Sequence, residues 1–246
     1  MLSIFLNELI DIFPILNVFK YITTRAVAAA FTSGIIVFIF SPRLIHYFKN
    51  HQGNGQPIRE DGPLRHIVEK SGTPTMGGLI ILLGVMISSL LWVDLNNKYV
   101  WLVGYVMLFF GSIGLYDDYL KVSKSAPEGM GGFLKLFLQT FVSLTAVFFL
   151  LKYNGGFEPT IVVPFLKDIA INIGVFFIFF AILVVIGSSN SVNLTDGLDG
   201  LAIVPVMIVV SSFGLIAYLS GNVVFSEYLN IEYIAGTGEL TIICGA

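Results

Sequence analysis

The chain has 246 residues, of which 56% are hydrophobic and only 12% are charged, and its mean hydropathy is +0.87. This composition excludes an ordinary water-soluble domain and places the chain in a lipid bilayer. The single cysteine, Cys244, permits no disulfide within one chain. The formal net charge of −3 means little for a membrane protein, because the distribution of charge across the bilayer matters more, and no nucleic-acid partner is expected.

Six apolar runs could cross a membrane, for which a helix needs about 20 residues. They lie at about 26–40, 75–93, 100–116, 133–151, 169–187 and 201–219. The first run extends upstream through Tyr21, and a seventh begins near Glu239 and is cut off at Ala246. The sequence therefore predicts an all-α fold, a polytopic transmembrane helical bundle in which residues 1–246 form a single integral-membrane domain that is incomplete at its C-terminus.

Residues 1–20 are apolar but carry Glu8, Asp11 and Pro14, with no basic region and no small-residue cleavage site. This pattern argues against a cleaved signal peptide and favours an interfacial helix lying against the membrane.

Basic residues predict the orientation of the bundle, because cytoplasmic loops carry an excess of lysine and arginine. The loops that follow odd-numbered spans hold eight of them, and the opposite side holds five. The modest bias places the odd-span exits in the cytoplasm. The three loops after spans one, three and five then emerge on one face, and they contain every polar motif described below.

The first of these loops reads HQGNGQPIREDGPLRHIVEKSGTPTMGG and is the most polar part of the chain. Its basic side chains, which include Lys70, suit an anionic ligand, and Thr75 lies where the loop leads into the second span. The free N–H groups at the start of a helix also favour phosphate. The alternative is a cytoplasmic loop with ordinary positive-inside residues.

The second loop opens with Asp117 and Asp118 in the stretch GLYDDYLK. Adjacent carboxylates repel each other, and the macrodipole at a helix C-terminus disfavours negative charge, so the pair is a poor choice for simple capping. A hard divalent cation such as Mg²⁺ would compensate both effects. The alternative is a solvated acidic cap partly offset by Lys121 and Lys124. Lys135 lies a little further on and could contact a phosphate, although such a lysine more commonly extends to the membrane interface.

The third loop contains Asn190, Asn193, Asp196 and Asp199, spaced every three residues in NSVNLTDGLDGLA. On a helix they would share roughly one face. Two amides and two carboxylates beside a long apolar run fit metal ligation, direct or through water, together with hydrogen bonding to a sugar or nucleotide. A polar connecting loop is the alternative, and a calcium loop is disfavoured because the spacing of the EF-hand is absent.

The stretches IREDGPLRHIVEKSGTPTMGG, GLYDDYLKV and NSVNLTDGLDGLA resemble the bacterial phospho-N-acetylmuramoyl-pentapeptide-transferases, a branch of the polyprenyl-phosphate N-acetylhexosamine-1-phosphate transferase superfamily. The aspartate motifs occur broadly in the superfamily, whereas the GTPTMGG run is more particular to this branch. The resemblance implies a multi-pass enzyme of the bacterial cytoplasmic membrane that works in peptidoglycan synthesis with its site facing the cytoplasm. It also implies that Mg²⁺ is the cofactor, that undecaprenyl phosphate and UDP-N-acetylmuramoyl-pentapeptide are the substrates, and that lipid I and UMP are the products; a homodimer stays open.

The resemblance also implies roles for individual residues. Asp117 would engage the lipid phosphate, by taking its proton or through the metal. The implied catalytic residues are Asp117, Asp118 and Asp196. The implied metal ligands are Asp117, Asp118, Asp196 and Asp199. The implied substrate-binding residues are Lys70, Thr75, Lys121, Lys135, Asn190, Asn193 and Asp199. Family members continue into a Phe-Met-Gly-Asp stretch and a histidine-rich loop that this sequence lacks, so the chain by itself is expected to be inactive.

Two other functions fit part of the pattern. A sister enzyme that transfers N-acetylglucosamine-1-phosphate would share the aspartates and differ in the sugar that it selects. A cation channel or transporter could also use intramembrane acids, but it should place them in mid-span along a pathway, whereas here they cluster at helix ends.

Overall fold

The computed structural model describes residues 13–52, 74–124, 129–153, 159–162, 170–196 and 200–246. These residues form eight α-helices and one short β-hairpin. The helices are α1 (Ile22–His51), α2 (Gly78–Trp92), α3 (Lys98–Ser123), α4 (Gly132–Tyr153), α5 (Phe176–Thr195), α6 (Ile203–Ser220), α7 (Val223–Leu229) and α8 (Leu240–Gly245). Two 3-10 segments, Pro14–Lys20 and Thr237–Glu239, precede α1 and α8.

Within the described ranges, five helices are long and apolar enough to cross a membrane: α1, α3, α4, α5 and α6. The remaining run, the second in the sequence at 75–93, forms α2, which is shorter at 15 residues. Large apolar side chains point outward along these helices; Phe38, for example, is 83% exposed and Leu183 is 70% exposed. Only lipid can cover so much apolar surface without cost. The predicted all-α polytopic membrane bundle is confirmed.

The fifth span begins later than the sequence predicted. A run starting near residue 169 was expected to be helical, but strands β1 (Thr160–Val162) and β2 (Ala170–Asn172) pair antiparallel there, with Ile161 opposite Ile171. β-Branched residues favour this extended pairing. The side chain of Asn172 then accepts a hydrogen bond from the N–H of Gly174 at 2.9 Å, and Gly174 has a φ of +52°, so the strand ends in a tight turn. Helix α5 therefore begins at Phe176, and it ends at Thr195, beyond the predicted end near residue 187.

The packed centre of the bundle joins α1 to α2 and α8. Ala29 of α1, Val93 at the end of α2, Val100 of α3 and Ile242 of α8 form a buried cluster, and Ile242 is fully buried. The apolar run that was expected to begin near Glu239 is therefore an integral part of this core.

Small side chains allow α1 and α2 to approach closely. A Cβ atom added at Gly84 would lie 2.8 Å from Val37 and 3.5 Å from the Ser33 hydroxyl. Close helix contacts of this kind supply the dispersion energy that holds helices together in lipid, where no hydrophobic effect acts between them.

One end of the bundle is fastened by a buried ion pair. Arg25, at the start of α1, contacts both carboxylate oxygens of Glu239 at 2.6 and 2.9 Å and also donates to the Trp92 carbonyl at 3.1 Å. The backbone N–H of Asp94 donates to the same carboxylate at 2.8 Å. This clamp links the start of α1, the end of α2 and the segment before α8.

The interfacial helix expected over residues 1–20 lies mostly outside the described residues. Its last part, Pro14–Lys20, is a 3-10 helix with Ile15 82% exposed. Its placement at the membrane surface stays a prediction.

Candidate active site

The polar motifs of the first two loops meet at the end of the bundle opposite the Arg25–Glu239 clamp. Helices α1 and α3 end there, and α2 and α4 begin there. Helix direction alternates along the chain, so the C-terminus of α5 and the start of α6 point to the same end. The described residues that flank the three loops therefore lie toward one end of the fold.

Asp117 is the buried acid of the site. It is 8% exposed, and its two carboxylate oxygens have separate partners. One oxygen accepts an ion-paired hydrogen bond from the Lys121 ammonium at 2.7 Å, and the other accepts from the backbone N–H of Met130 at 2.7 Å. The adjacent acid, Asp118, faces a different partner set, so the two neighbours have unlike surroundings.

Asp117 and Asp118 lie inside α3, which runs to Ser123, so the prediction that they open a loop was wrong. Asp118 is more open than Asp117, and it connects α3 to the segment before α2. One oxygen lies 3.2 Å from the Lys121 ammonium, and the other accepts from the Thr75 hydroxyl at 3.2 Å. Lys121 thus bridges both carboxylates and compensates much of their mutual repulsion. Lys135, in the first turn of α4, adds a second positive charge that acts on Asp117 through space.

The turn that leads from α3 into α4 is shaped around Asp117. Gly129 has a φ of +60°, and a Cβ atom added there would lie 2.5 Å from a carboxylate oxygen of Asp117 and 2.9 Å from Cε of Lys121. Only glycine combines this backbone conformation with so close an approach. The absence of a side chain at position 129 lets the backbone N–H of Met130 reach the carboxylate.

Asn190 lies in the last turns of α5, with its side-chain amide held on the protein. The amide donates to the Gln139 side-chain oxygen at 2.9 Å and to the Ile186 carbonyl at 3.0 Å. Gln139, on α4, is only 3% exposed. The amide nitrogen of Asn190 is therefore committed to neighbours, which leaves its carbonyl oxygen as the group that could face a substrate.

The remaining predicted residues divide into two groups. Asn193 and Asp196 are exposed at the C-terminal end of α5, where Asp196 follows the last helical residue. Lys70 and Asp199 lie outside the described residues. Asn190 and Asn193 thus lie inside α5 and not in the predicted third loop, and Asp196 directly follows the last helical residue.

The donor set suits a hard cation in its chemistry, since carboxylate oxygens are the ligands that Mg²⁺ prefers. Among the residues that the structure describes, however, no three His, Cys, Asp or Glu side chains form a metal-ligating cluster. Each carboxylate oxygen of both acids has one partner, but the Asp118 side chain is 29% exposed and the Asp117 side chain only 11%, so Asp118 is more accessible to a cation. Asp118 is the better ligand candidate of the pair.

Three contributors to the site were missed from the sequence. Gln52, which directly follows the last residue of α1, binds the backbone of Thr75 through its side-chain amide. Gln139 supports Asn190, and Gly129 makes room for the Met130 contact. Of these three residues, only Gln139 could have been identified from the sequence, because a glutamine inside an apolar helix must find a hydrogen-bond partner.

Comparison with known proteins gives the class first. The sequence model of the family described as "Glycosyl transferase family 4" matches residues 100–238, which include both aspartate motifs. Since the match covers more than half of the chain, the chain belongs to this family of membrane transferases.

Two further matches narrow the class. Residues 70–82, which contain Thr75, match phospho-N-acetylmuramoyl-pentapeptide-transferase signature 1. A curated relative from Bartonella quintana (strain Toulouse), named phospho-N-acetylmuramoyl-pentapeptide-transferase, is 52% identical over 245 residues, which is 100% of this chain and 68% of the relative. Within family 4, the chain belongs to the phospho-N-acetylmuramoyl-pentapeptide-transferases.

Proposed function

We propose that this chain transfers phospho-N-acetylmuramoyl-pentapeptide from its UDP-linked precursor to undecaprenyl phosphate, giving lipid I and UMP for peptidoglycan synthesis. The observation that carries the proposal is the hydrogen bond from Thr75 to Asp118. It joins the segment that matches the pentapeptide-transferase signature to the aspartate pair within the family 4 match. The signature and the acids thus belong to one site.

The reaction is a phosphoryl transfer between two anions. An oxygen of the lipid phosphate attacks the sugar-proximal phosphorus of the UDP precursor, the bond from that phosphorus to the oxygen of the UMP phosphate breaks, and UMP leaves with the electron pair. Such reactions depend mainly on positioning the reactants and on neutralising their spread charge. The second pKa of a phosphate monoester is about 6, so most of the lipid phosphate has already lost its proton at neutral pH.

Lys121 is the residue best placed to meet this charge. Its ammonium is held by Asp117 and Asp118, and three donor hydrogens allow it to keep both contacts and offer one more. Asp117 would take any remaining proton from the lipid phosphate or join the residues that hold the metal, and it fixes the direction of Lys121. Asp118, Asp196 and Asp199 would hold Mg²⁺, which would supply positive charge to neutralise the phosphate oxygens.

The other residues bind substrate. Lys70, Thr75 and Lys135 contact the phosphates or the uridine of the precursor. Asn190 and Asn193 hydrogen-bond the precursor, and the Asn190 carbonyl is oriented for this by Gln139. The lipid carrier enters from the bilayer and the nucleotide from the cytoplasmic side of a bacterial inner membrane, where the chain acts as a multi-pass protein and could pair as a homodimer.

The test is Mg²⁺-dependent release of UMP from UDP-N-acetylmuramoyl-pentapeptide and undecaprenyl phosphate in detergent. This chain should be compared with a version extended to the length of the relative. The chain corresponds to 68% of the relative's length, and we expect Mg²⁺-dependent release of UMP from the extended protein.

The choice of nucleotide sugar separates the alternatives. Turnover of UDP-N-acetylglucosamine in place of the pentapeptide precursor would assign the chain to the sister enzyme. No UMP from either donor in the extended protein would contradict a transferase function.

A further inference from the structure

Gln52 makes a two-point contact with a single residue across the site. Its side-chain oxygen accepts from the Thr75 N–H at 2.9 Å, and its side-chain nitrogen donates to the Thr75 carbonyl at 3.3 Å. A primary amide that pairs with both backbone groups of one residue imitates a neighbouring strand. Twenty-two residues separate the two positions in the sequence, so the contact joins the end of α1 to the approach to α2.

The residue after Thr75 shows why this segment needs support. Met76 has a φ of +73°, in the left-handed region that a bulky side chain disfavours. Strained backbone of this kind persists only where its surroundings determine it, and it is concentrated at functional sites. On one side of the strained residue, Gln52 holds Thr75. On the other, the N–H of Leu79 donates to the Met76 carbonyl at 3.1 Å in the first turn of α2.

The hydroxyl of Thr75 is the group that this arrangement directs. It donates to Asp118 at 3.2 Å, and Asp118 in turn contacts Lys121, which is paired with Asp117. A continuous series of polar contacts therefore runs from Gln52 to the buried acid, through residues contributed by three separate parts of the chain.

We infer that Gln52 is a positioning residue of this site: by holding both backbone groups of Thr75 it sets the Thr75 hydroxyl on Asp118 and so orients that carboxylate. Gln52 itself touches no reacting atom. The inference rests on the proposed transferase function for its kinetic consequence, but the contact with Thr75 can be tested without any turnover.

The first test uses Gln52→Met, which keeps the length of the side chain and removes both hydrogen bonds. The matched control is Asn50→Leu, since Asn50 ends the same helix and its side chain contacts only His46 one turn earlier among the contacts that the structure describes. In the extended protein we expect kcat of Gln52→Met to fall on the order of tenfold, because misplacing an active-site group by a fraction of an ångström is costly. KM for the lipid should change little, and Asn50→Leu should behave as the parent protein.

A double-variant cycle with Thr75→Val separates positioning from general destabilisation. If Gln52 acts through the Thr75 hydroxyl, adding Gln52→Met to Thr75→Val should lower kcat no further, because the group that it positions is already gone. Independent, multiplicative losses, or a normal kcat in Gln52→Met, would overturn the inference.

Amide hydrogen exchange tests the contact between Gln52 and Thr75 by a measurement that does not depend on enzymatic activity. In detergent, the peptide that contains Thr75 should exchange its amide hydrogens at least several-fold faster in Gln52→Met than in the parent or in Asn50→Leu. If the parent protein releases no UMP, the proposed function fails and this measurement alone decides the contact. Unchanged exchange at Thr75 would refute it.

Discussion

At the scale of single residues, the adjacent acids Asp117 and Asp118 differ in how deeply they are buried, and this difference determines the role of Asp117. It is the more buried acid, with its side chain 11% exposed against 29% for Asp118, and its carboxylate holds Lys121 and the Met130 N–H. Replacement by asparagine preserves the shape and the acceptor for the Met130 N–H, but it removes the charge and puts an NH2 donor in place of the oxygen that accepts from Lys121. The substitution therefore tests the ion pair with Lys121.

We expect Asp117→Asn in the extended protein to lower UMP release by at least on the order of a hundredfold, since positioned acid–base and electrostatic groups contribute this much or more. Its unfolding temperature in detergent should stay close to that of the parent. Glu227→Gln, which changes an exposed acid on α7, serves as the control and should retain full turnover. Near-normal turnover in Asp117→Asn would contradict the assignment.

Gly129 provides a second prediction at this scale. Gly129→Ala would force a Cβ against the Asp117 carboxylate and impose a strained backbone, at a cost of about 1–3 kcal/mol. We expect lower turnover and a lower unfolding temperature, both measured in the same detergent preparation.

Gly131→Ala is the matched control for this change, because a Cβ at position 131 would meet no atom within 4 Å. It should change stability by no more than about 0.5 kcal/mol. Equal effects at positions 129 and 131 would show that the turn does not depend on the Asp117 contact.

At the scale of helices and strands, the far end of the bundle depends on the Arg25–Glu239 clamp. Its side chains are 10% and 12% exposed, so removing one partner leaves the other charged and poorly solvated. We expect Glu239→Gln to destabilise the protein by about 3–5 kcal/mol, measured as a loss of thermal stability in detergent. The exposed acid Glu232 supplies the control variant Glu232→Gln, which should unfold like the parent.

The double variant Arg25→Met, Glu239→Leu sharpens this prediction. Because apolar replacement of both members of a buried pair is often neutral, it should recover much of the stability that the single variant loses. A double variant less stable than Glu239→Gln would show that the hydrogen bonds to Trp92 and Asp94, and not the pairing of charges, hold this end together.

The sequence was informative about these elements where one simple property dominates. Uninterrupted hydrophobicity predicted the membrane spans. Adjacent acids in an apolar chain predicted that Asp117 and Asp118 belong to the functional site, and this assignment stays a prediction. The hairpin at 160–172 escaped because β-branched residues satisfy an apolar span and a strand equally well. An asparagine turn decides between them only once the strands pair.

The supporting residues escaped for a different reason. Gln52 pairs with a residue 23 positions away, and Gln139 pairs with one 51 positions away. No local pattern encodes such a partner, because the contact exists only after helices that are distant in sequence have packed. The sequence alone therefore indicated the charged residues of the site. The fold shows which neighbouring residues orient their side chains.

At the scale of the whole molecule, the bundle has two chemically different ends. One end holds the clamp between Arg25 and Glu239, and the other holds Thr75 with the aspartate pair. Helix α3 connects them: its 26 residues span about 39 Å, more than the hydrocarbon core of about 30 Å. Its two ends must therefore meet water on opposite sides of the membrane.

The excess of basic residues on the side of the site predicts that this side is cytoplasmic. Single cysteines at Lys124 and Asn96, which are exposed just beyond the two ends of α3, can test this in a Cys244→Ser background. A membrane-impermeant thiol reagent added to spheroplasts should label Asn96→Cys and spare Lys124→Cys. Inverted membrane vesicles should give the reverse pattern.

This labelling pattern bears directly on the chemistry, because a soluble UDP-linked precursor is made in the cytoplasm and cannot cross the bilayer. A site at the Lys124 end can use that precursor only if this end faces inward. Labelling of Lys124→Cys from outside would place Asp117 and Asp118 where no nucleotide substrate reaches them, and it would contradict the proposed transferase as well as the orientation.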